Sequence, residues 1–396
     1  MPGRQKRPQQ HEQAKADASG RTANITRLMQ GVLGTEGLNR PRPFGRVEGG
    51  AYVQNEDLAS ALKFARKSLP GQVKADTPLP ADQAPVSDAP PLPIEQIRRW
   101  YAEELRFTGR VGSSAVIDAF ATVPRERFLG PGPWRIRSPM NIDAYWSTAD
   151  ASPRQVYHDV LVALDEARGI NNGQPSLWAR LFDNLDIRPG EVVLHLGCGT
   201  GYFSAIAGEL VGPTGRVAAI EIDAGLAEKA REALAPWPQV TVSNADGAGS
   251  AFDPVDVAIA SAGVTHPLPA WVNALKPGGR LLVPMTTTEL LGNAELSTSR
   301  IALSAGGGPG AMLLVVRQAE DQYTARFLCR AGFIDFKGAR NSEESRRLAA
   351  ALVRDWGDGV KSLRRDSHSE DGTCWLHGAG WCLSHRVPTG TPRRRP

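Results

Sequence analysis

Val192-Val193-Leu194-His195-Leu196-Gly197-Cys198-Gly199-Thr200-Gly201-Tyr202-Phe203 decides the fold. Val192 to Leu196 is an apolar run of strand length, the glycines turn the backbone sharply, and Phe203 to Leu210 carries helical periodicity. A strand that feeds a glycine turn and then a helix lets a ligand approach the backbone and offers it the unpaired N–H groups of the helix start. Further strands are expected at Arg216–Glu221, Val240–Val242, Val255–Ala260 and Arg280–Pro284, alternating with helices such as Ala224–Leu234. This alternation predicts an α/β chain with a doubly wound, mostly parallel sheet covered on both faces, because parallel strands need crossover connections. Ligands of such sheets bind at the carboxyl ends of the strands.

The glycine spacing narrows the ligand. Dinucleotide enzymes use G-x-G-x-x-G here, whereas this chain has G-x-G-x-G, with Tyr202 at the third dinucleotide position. A tyrosine there is expected to obstruct a pyrophosphate, so the loop residues Gly197, Cys198, Gly199, Thr200 and Gly201 suit S-adenosyl-L-methionine better than a nicotinamide cofactor. Glu221 closes the second strand, twenty residues beyond Gly201, where a carboxylate can accept from both ribose hydroxyls; Ile222 follows it. Asp246-Gly247, after the third strand, is placed to meet the adenine edge. Each has a plainer reading, a solvated strand-end carboxylate for Glu221 and an Asp-Gly turn for Asp246.

Outward from this core the texture changes twice. Residues 1–92 are polar and end in a Pro-dense stretch, which reads as a disordered leader and linker with one short helical piece at 58–69. Residues 93–285 form the expected catalytic domain. Residues 286–396 read as a small α+β lobe and a basic tail, with strands at 300–304, 311–316 and 324–329 and a helix from Ser342 to Trp356. The net charge of +4 sits largely in the two ends, which argues against specific nucleic-acid recognition. No apolar run reaches membrane-spanning length and the start has no signal-peptide core, so a cytoplasmic location and no membrane partner are expected. The four cysteines are too few and scattered for a disulfide scaffold. A monomer is expected.

Val123-Pro124-Arg125-Glu126-Arg127-Phe128, Gln174-Pro175, the HLGCGTGY loop, AIEID, NADG and Lys276-Pro277-Gly278-Gly279-Arg280-Leu281-Leu282-Val283-Pro284 follow one another in this order. In that series the chain resembles the protein-L-isoaspartate O-methyltransferases over about residues 115–285. The resemblance implies a Rossmann-like class I methyltransferase sheet of seven strands and methyl transfer to a carboxylate of a protein or peptide. Such a reaction needs alignment more than acid–base help, since a carboxylate is already a nucleophile.

Two departures stand out. The family's substrate loop reads T-I-S-x-P, whereas Asn171-Asn172-Gly173-Gln174-Pro175 puts Gly173 at the serine position. Asn172 and Ser176 are the candidates for a replacement contact. The family also prefers an acidic residue where this chain has His195. These departures keep open carboxyl methylation of a normal aspartyl peptide or a small acid, and cofactor binding without turnover. His266, after the fourth strand, is a candidate general base or orienting group, or a loop residue only. Asp165, Glu166 and Arg168 precede the substrate loop and read as surface ion pairs. Cys374, His377, Cys382 and His385, with His368 nearby, invite a zinc reading. Their spacing matches no common finger, and Trp375, Leu376, Trp381 and Leu383 read as a strand pair, so no metal is expected.

Overall fold

The computed structural model describes residues 92–138, 141–249, 251–289 and 307–388; the expected leader with its helix at 58–69, the strand at 300–304 and the end of the basic tail lie outside the described residues. Helix α1 (Ile94–Thr108) buries Tyr101, Ala102 and Leu105 along one stripe, while Trp100 is exposed. Helix α2 (Ser114–Thr122) starts on Ser113, whose hydroxyl accepts from the Val116 N–H, and a 3-10 turn follows at Arg125–Phe128.

Four short strands come next: β1 (Arg135–Ser138), β2 (Asn141–Ser147), β3 (Leu161–Asp165) and β4 (Ile170–Asn171). They form an antiparallel sheet in the order β2-β1-β3-β4 around Leu129, Trp134, Ile136, Val156 and Val162. The sequence of this stretch, rich in Gly and Pro after Phe128, reads as a loop, and the structure corrects that reading. Strands this short carry little local period, and pairs such as Ile136 with Val162 join residues far apart in the chain.

The βα units then follow: α3 (Pro175–Leu185), β5 (Val192–Leu196), α4 (Tyr202–Val211), β6 (Arg216–Glu221), α5 (Ala224–Leu234), β7 (Val240–Asn244) and β8 (Val255–Ala260) run as expected, while α6 (Pro269–Asn273) is an additional helix and β9 (Leu275–Thr286) is longer than the expected Arg280–Pro284. Beyond them come β10 (Gly307–Ala319), β11 (Gln322–Ile334), α7 (Ser342–Asp355), β12 (Ser362–Arg364), β13 (Cys374–Gly378) and β14 (Trp381–Ser384). One sheet of ten strands takes them all from β5 onward, in the order β13-β14-β12-β11-β10-β9-β8-β5-β6-β7.

Strands β7, β6, β5, β8 and β9 are parallel, and the strands from β10 outward are antiparallel to their neighbours. The doubly wound α/β core is therefore as expected, while the sheet exceeds the seven strands that the resemblance implies, and half of it is antiparallel. The boundary expected after residue 285 falls between hydrogen-bonded neighbours, since β10 pairs with β9 from Gly310–Thr286 to Val316–Arg280. Along β5 and β8 successive residues enter opposite cores, Val193, Val257 and Ile259 one, Leu194, Ala258 and Ala260 the other. That double burial is why these strands read as continuous apolar runs. No helix among the described residues is long and apolar enough to cross a membrane.

Candidate cofactor and substrate site

Strand β5 lies between β6 and β8, so the chain leaves it in one direction and returns on its other side. At this crevice, beyond the carboxyl ends of the strands, a cavity of about 340 Å³ opens. Gly197, Gly199 and Gly201 all hold left-handed backbone conformations, with φ of 74°, 58° and 93°. Gly197, Cys198, Gly199 and Thr200 line the cavity. Gly201 faces away from it: a Cβ there would meet Leu234 Cδ1 at 2.7 Å, so this glycine lets α4 pack on α5. Thr200 donates its hydroxyl to the Phe128 carbonyl at 2.6 Å and thereby ties the Arg125–Phe128 turn to the glycine loop.

Glu221 and Ile222 are also in the wall. The Glu221 carboxylate is buried and accepts one backbone N–H on each oxygen, from Gly199 at 2.8 Å and Asp223 at 3.0 Å. Burial raises its pKa, and these two hydrogen bonds work against that rise. Each oxygen keeps a lone pair for a further donor, the arrangement a vicinal diol requires. Gly247 lines the cavity and its carbonyl accepts from Trp271 Nε1 at 2.8 Å. Asp246 is not in the wall; its Oδ1 accepts from the Ala248 N–H, which makes it a turn residue.

Tyr202 lines the cavity at the helix start but is itself buried. Its ring packs against Phe120 and Phe128, with its hydroxyl 3.5 Å from that of Tyr101, because α1 and α2 provide an aromatic pocket beneath the helix start. His195 is fully enclosed between the hydroxyls of Ser204 and Ser261, both at 2.7 Å. Burial pushes its pKa down to about 4, so it is a neutral hydrogen-bond bridge. The Cys198 thiol is pushed up by burial and by the nearby Glu221, which keeps it protonated and unreactive.

Asn171, Asn172, Gly173 and Gln174 form the facing wall. Asn172 and Gly173 line the cavity, and Asn172 is fixed by Arg125, whose Nε donates to its Oδ1 at 3.2 Å. The Arg125 guanidinium is fully buried and also donates to the carbonyls of Val156, His158 and Val160 at 2.7–2.9 Å. Gly173 has φ of 77°, and a Cβ on it would meet Trp178 Nε1 at 2.7 Å and Phe203 Cε2 at 2.9 Å. Those two rings stack at 4.6 Å, so they occupy the space a serine side chain needs. Ser176 is outside the wall: its hydroxyl donates to Asp159 Oδ2 at 2.6 Å, and Asp159 also takes the Ser176 N–H and Gln174 Nε2, which fastens the start of α3.

His266 is likewise absent from the wall. It stacks on Trp381 of β14 at 6.4 Å, and burial lowers its pKa. Arg168 lines the cavity and bridges Asp165 and Asp223, while Glu166 pairs with Arg135. Two parts of the wall had no signal in the sequence. Arg137 of β1 is buried there with its guanidinium 4.7 Å over the Tyr145 ring. Residues 330–337 close another side with Phe333 and Phe336. Gly263 holds this stretch by donating to the Ile334 carbonyl at 2.7 Å and accepting from the Phe336 N–H at 2.9 Å.

A model of the protein-L-isoaspartate(D-aspartate) O-methyltransferase family matches residues 99–297, half of the chain. The chain belongs to this family. It is similar to the protein-L-isoaspartate O-methyltransferase of Aeropyrum pernix, 34% identical over 206 residues that cover 50% of this chain and 70% of the relative. The corresponding protein of Methanopyrus kandleri is 30% identical over 197 residues, covering 48% and 78%. A solved structure of a protein-L-isoaspartate O-methyltransferase is 25% identical, covers 65% of this chain and 68% of its own, and superposes with a TM-score of 0.46. The family is one of S-adenosylmethionine-dependent methyltransferases. The residues present fit that cofactor, since the buried carboxylate at the end of β6 keeps lone pairs that would suit ribose hydroxyls and would repel a phosphate in their place.

Proposed function

We propose that this chain is an S-adenosylmethionine-dependent O-methyltransferase acting on a carboxylate of a protein or peptide, the free carboxylate of an isoaspartyl residue in the first instance. The observation that carries the reading is the shared cavity, with Glu221 and the glycine loop on one wall and Asn172 and Gly173 on the other. When bound, the cofactor supplies a sulfonium methyl group, and the acceptor oxygen forms the O–C bond as the C–S bond breaks, leaving a methyl ester and S-adenosylhomocysteine. No proton moves in that step, which agrees with a wall whose Cys198 is held as a thiol.

The residues of the chain bind and orient. Glu221 takes the ribose, with Ile222 and Gly247 beside it. Arg137 offers a buried positive charge to the acceptor carboxylate. Arg125 occupies the Asn172 carbonyl oxygen and so leaves the Asn172 amide N–H group as the donor to the acceptor. Leu161, Leu164, Trp178, Phe203, Phe333 and Phe336 exclude water, which strengthens both polar contacts. Gly173 favours a second reading, since the family's serine contact is replaced by a Trp178–Phe203 stack: an aspartyl peptide or small acid as the acceptor.

Transfer of tritium from labelled S-adenosylmethionine to an isoaspartyl peptide, its aspartyl counterpart and a cell lysate separates these readings. Base-labile label on the isoaspartyl peptide alone is the expected result. Label confined to the aspartyl peptide or the lysate moves the acceptor to the second reading, and absence of transfer to all three, with cofactor bound, refutes the first.

A further inference from the structure

The outer edge of the ten-stranded sheet, away from the cofactor loop, gathers His368, Cys374, His377 and Cys382 so that one donor atom from each lies within 4.8 Å of all the others. Cys374 Sγ is 3.5 Å from His368 Nε2 and 3.9 Å from His377 Nδ1, and the two imidazoles meet edge to face at 4.7 Å. The edges of a zinc tetrahedron with two nitrogens and two sulfurs are about 3.3–3.8 Å, from Zn–N of about 2.0 Å and Zn–S of about 2.3 Å. The four donors thus need only small side-chain adjustments to share one ion.

We propose that these four residues form a tetrahedral zinc site that fastens the β13–β14 hairpin to the segment following β12. Two thiolates with two imidazoles select zinc among the common divalent ions, because soft sulfur ligands disfavour magnesium and calcium. The surroundings already orient the ligands. His368 Nδ1 lies 2.9 Å from the Asp366 carbonyl oxygen, the partner that fixes a ring with its other nitrogen toward a metal. The Asp371 N–H points at Cys374 Sγ at 3.4 Å, a donor that suits a thiolate. Arg364 is the register partner of Cys382 across β12 and β14; its Nε and Nη2 pair with Asp366, and its buried Nη1 has no hydrogen-bond partner, which leaves an N–H donor beside the place where two thiolates form.

The hydrophobic reading of this stretch and the metal reading are compatible. Trp375, Leu376, Trp381 and Leu383 are buried on the sheet as a strand pair requires, and Cys382 is enclosed with them. Spacing along the chain matched no common finger because His368 enters from a loop before the hairpin, and only the β12–β14 pairing brings it to the other three.

The test uses the full chain, expressed with zinc in the medium, desalted and analysed for metal by mass spectrometry. About one zinc per chain is expected, with H368A and C374S each losing most of it and C329S, at a cysteine outside the cluster, keeping it. Removal of the ion by a strong chelator lowers the melting temperature, and refilling with cobalt(II) produces the intense visible bands of tetrahedral thiolate coordination. That spectrum, read on the unaltered chain, decides the matter even if the variants fail to fold. Zinc well below one equivalent together with no cobalt band overturns the proposal, whether Cys374 and Cys382 are then found as free thiols or joined as a disulfide.

Discussion

Glu221 concentrates the binding argument in one side chain. Removing it in Glu221→Ala strips the ribose of its acceptor and leaves the Gly199 and Asp223 N–H groups without theirs, so cofactor affinity falls by about 1–3 kcal/mol. Titration calorimetry on the folded variant checks this, and an unchanged affinity refutes the placement of the ribose. Gly173 makes the opposite kind of prediction. Restoring the family's serine as Gly173→Ser puts a Cβ within 3 Å of the Trp178 and Phe203 rings and forces a side chain into φ of 77°. Overpacking and backbone strain together cost roughly 2–4 kcal/mol, and methyl transfer falls instead of rising. A variant as stable as the parent, measured by urea unfolding, shows that the stack yields easily. His195 gives stability a pH dependence. Its folded pKa of about 4 lies below the ordinary value of 6.5, so the unfolded chain takes up the proton first and stability is lost as pH falls from 6.5 toward 4. The loss amounts to about 3 kcal/mol, and His195→Gln removes that part of the pH profile. Parallel profiles for parent and variant contradict the assignment.

At the scale of elements, local pattern and long-range pairing divide what was legible. The β5 to α5 units have the expected limits because each combines an apolar run, a turn and a helical period within a few residues. The glycine loop and Glu221 were legible for the same reason, since both sit at strand ends. Strands β1–β4 were not, and with them went Arg137. Residues 330–337 fall in the stretch that reads only as a separate lobe, and nothing local marks Phe333 or Phe336 as wall residues. Arg125 was visible as part of a family motif, but its work became apparent only through its carbonyl partners. It couples the Arg125–Phe128 turn to the stretch before β3 and to the substrate loop, with donors to Val156, His158, Val160 and Asn172. Arg125→Met leaves those acceptors buried and unpaired, which destabilises the fold by roughly 2–5 kcal/mol. It also raises KM for the acceptor more than it weakens cofactor binding, because Glu221 and the glycine loop are held by other bonds. Hydrogen exchange over residues 156–173 reads the loosening directly; protection equal to the parent's contradicts this role.

The whole molecule turns on how the parallel and antiparallel halves of the sheet depend on each other. The sequence divides at residue 285 by texture, but one hydrophobic core takes Leu281, Val283 and Met285 from β9 together with Leu313, Val315, Tyr323 and Leu383 from the later strands. Strand β9 is paired on one side by β8 and on the other by β10, so a chain that stops after it exposes a long hydrogen-bonding edge and the apolar faces beside it. The same truncation removes Phe333 and Phe336 from the cavity. Residues 93–285 alone are therefore expected to aggregate or to unfold without a cooperative transition, and to bind S-adenosylmethionine far more weakly than the full chain. Residues 92–388, which keep every described strand, are expected to retain the parent's cofactor affinity. Circular dichroism melts of the two fragments decide the point. A cooperative transition and parent-like cofactor binding in residues 93–285 would make the later strands an accessory, whereas failure of that piece beside a stable 92–388 makes the ten strands one folding unit, with the wall of the active site supplied from its antiparallel half.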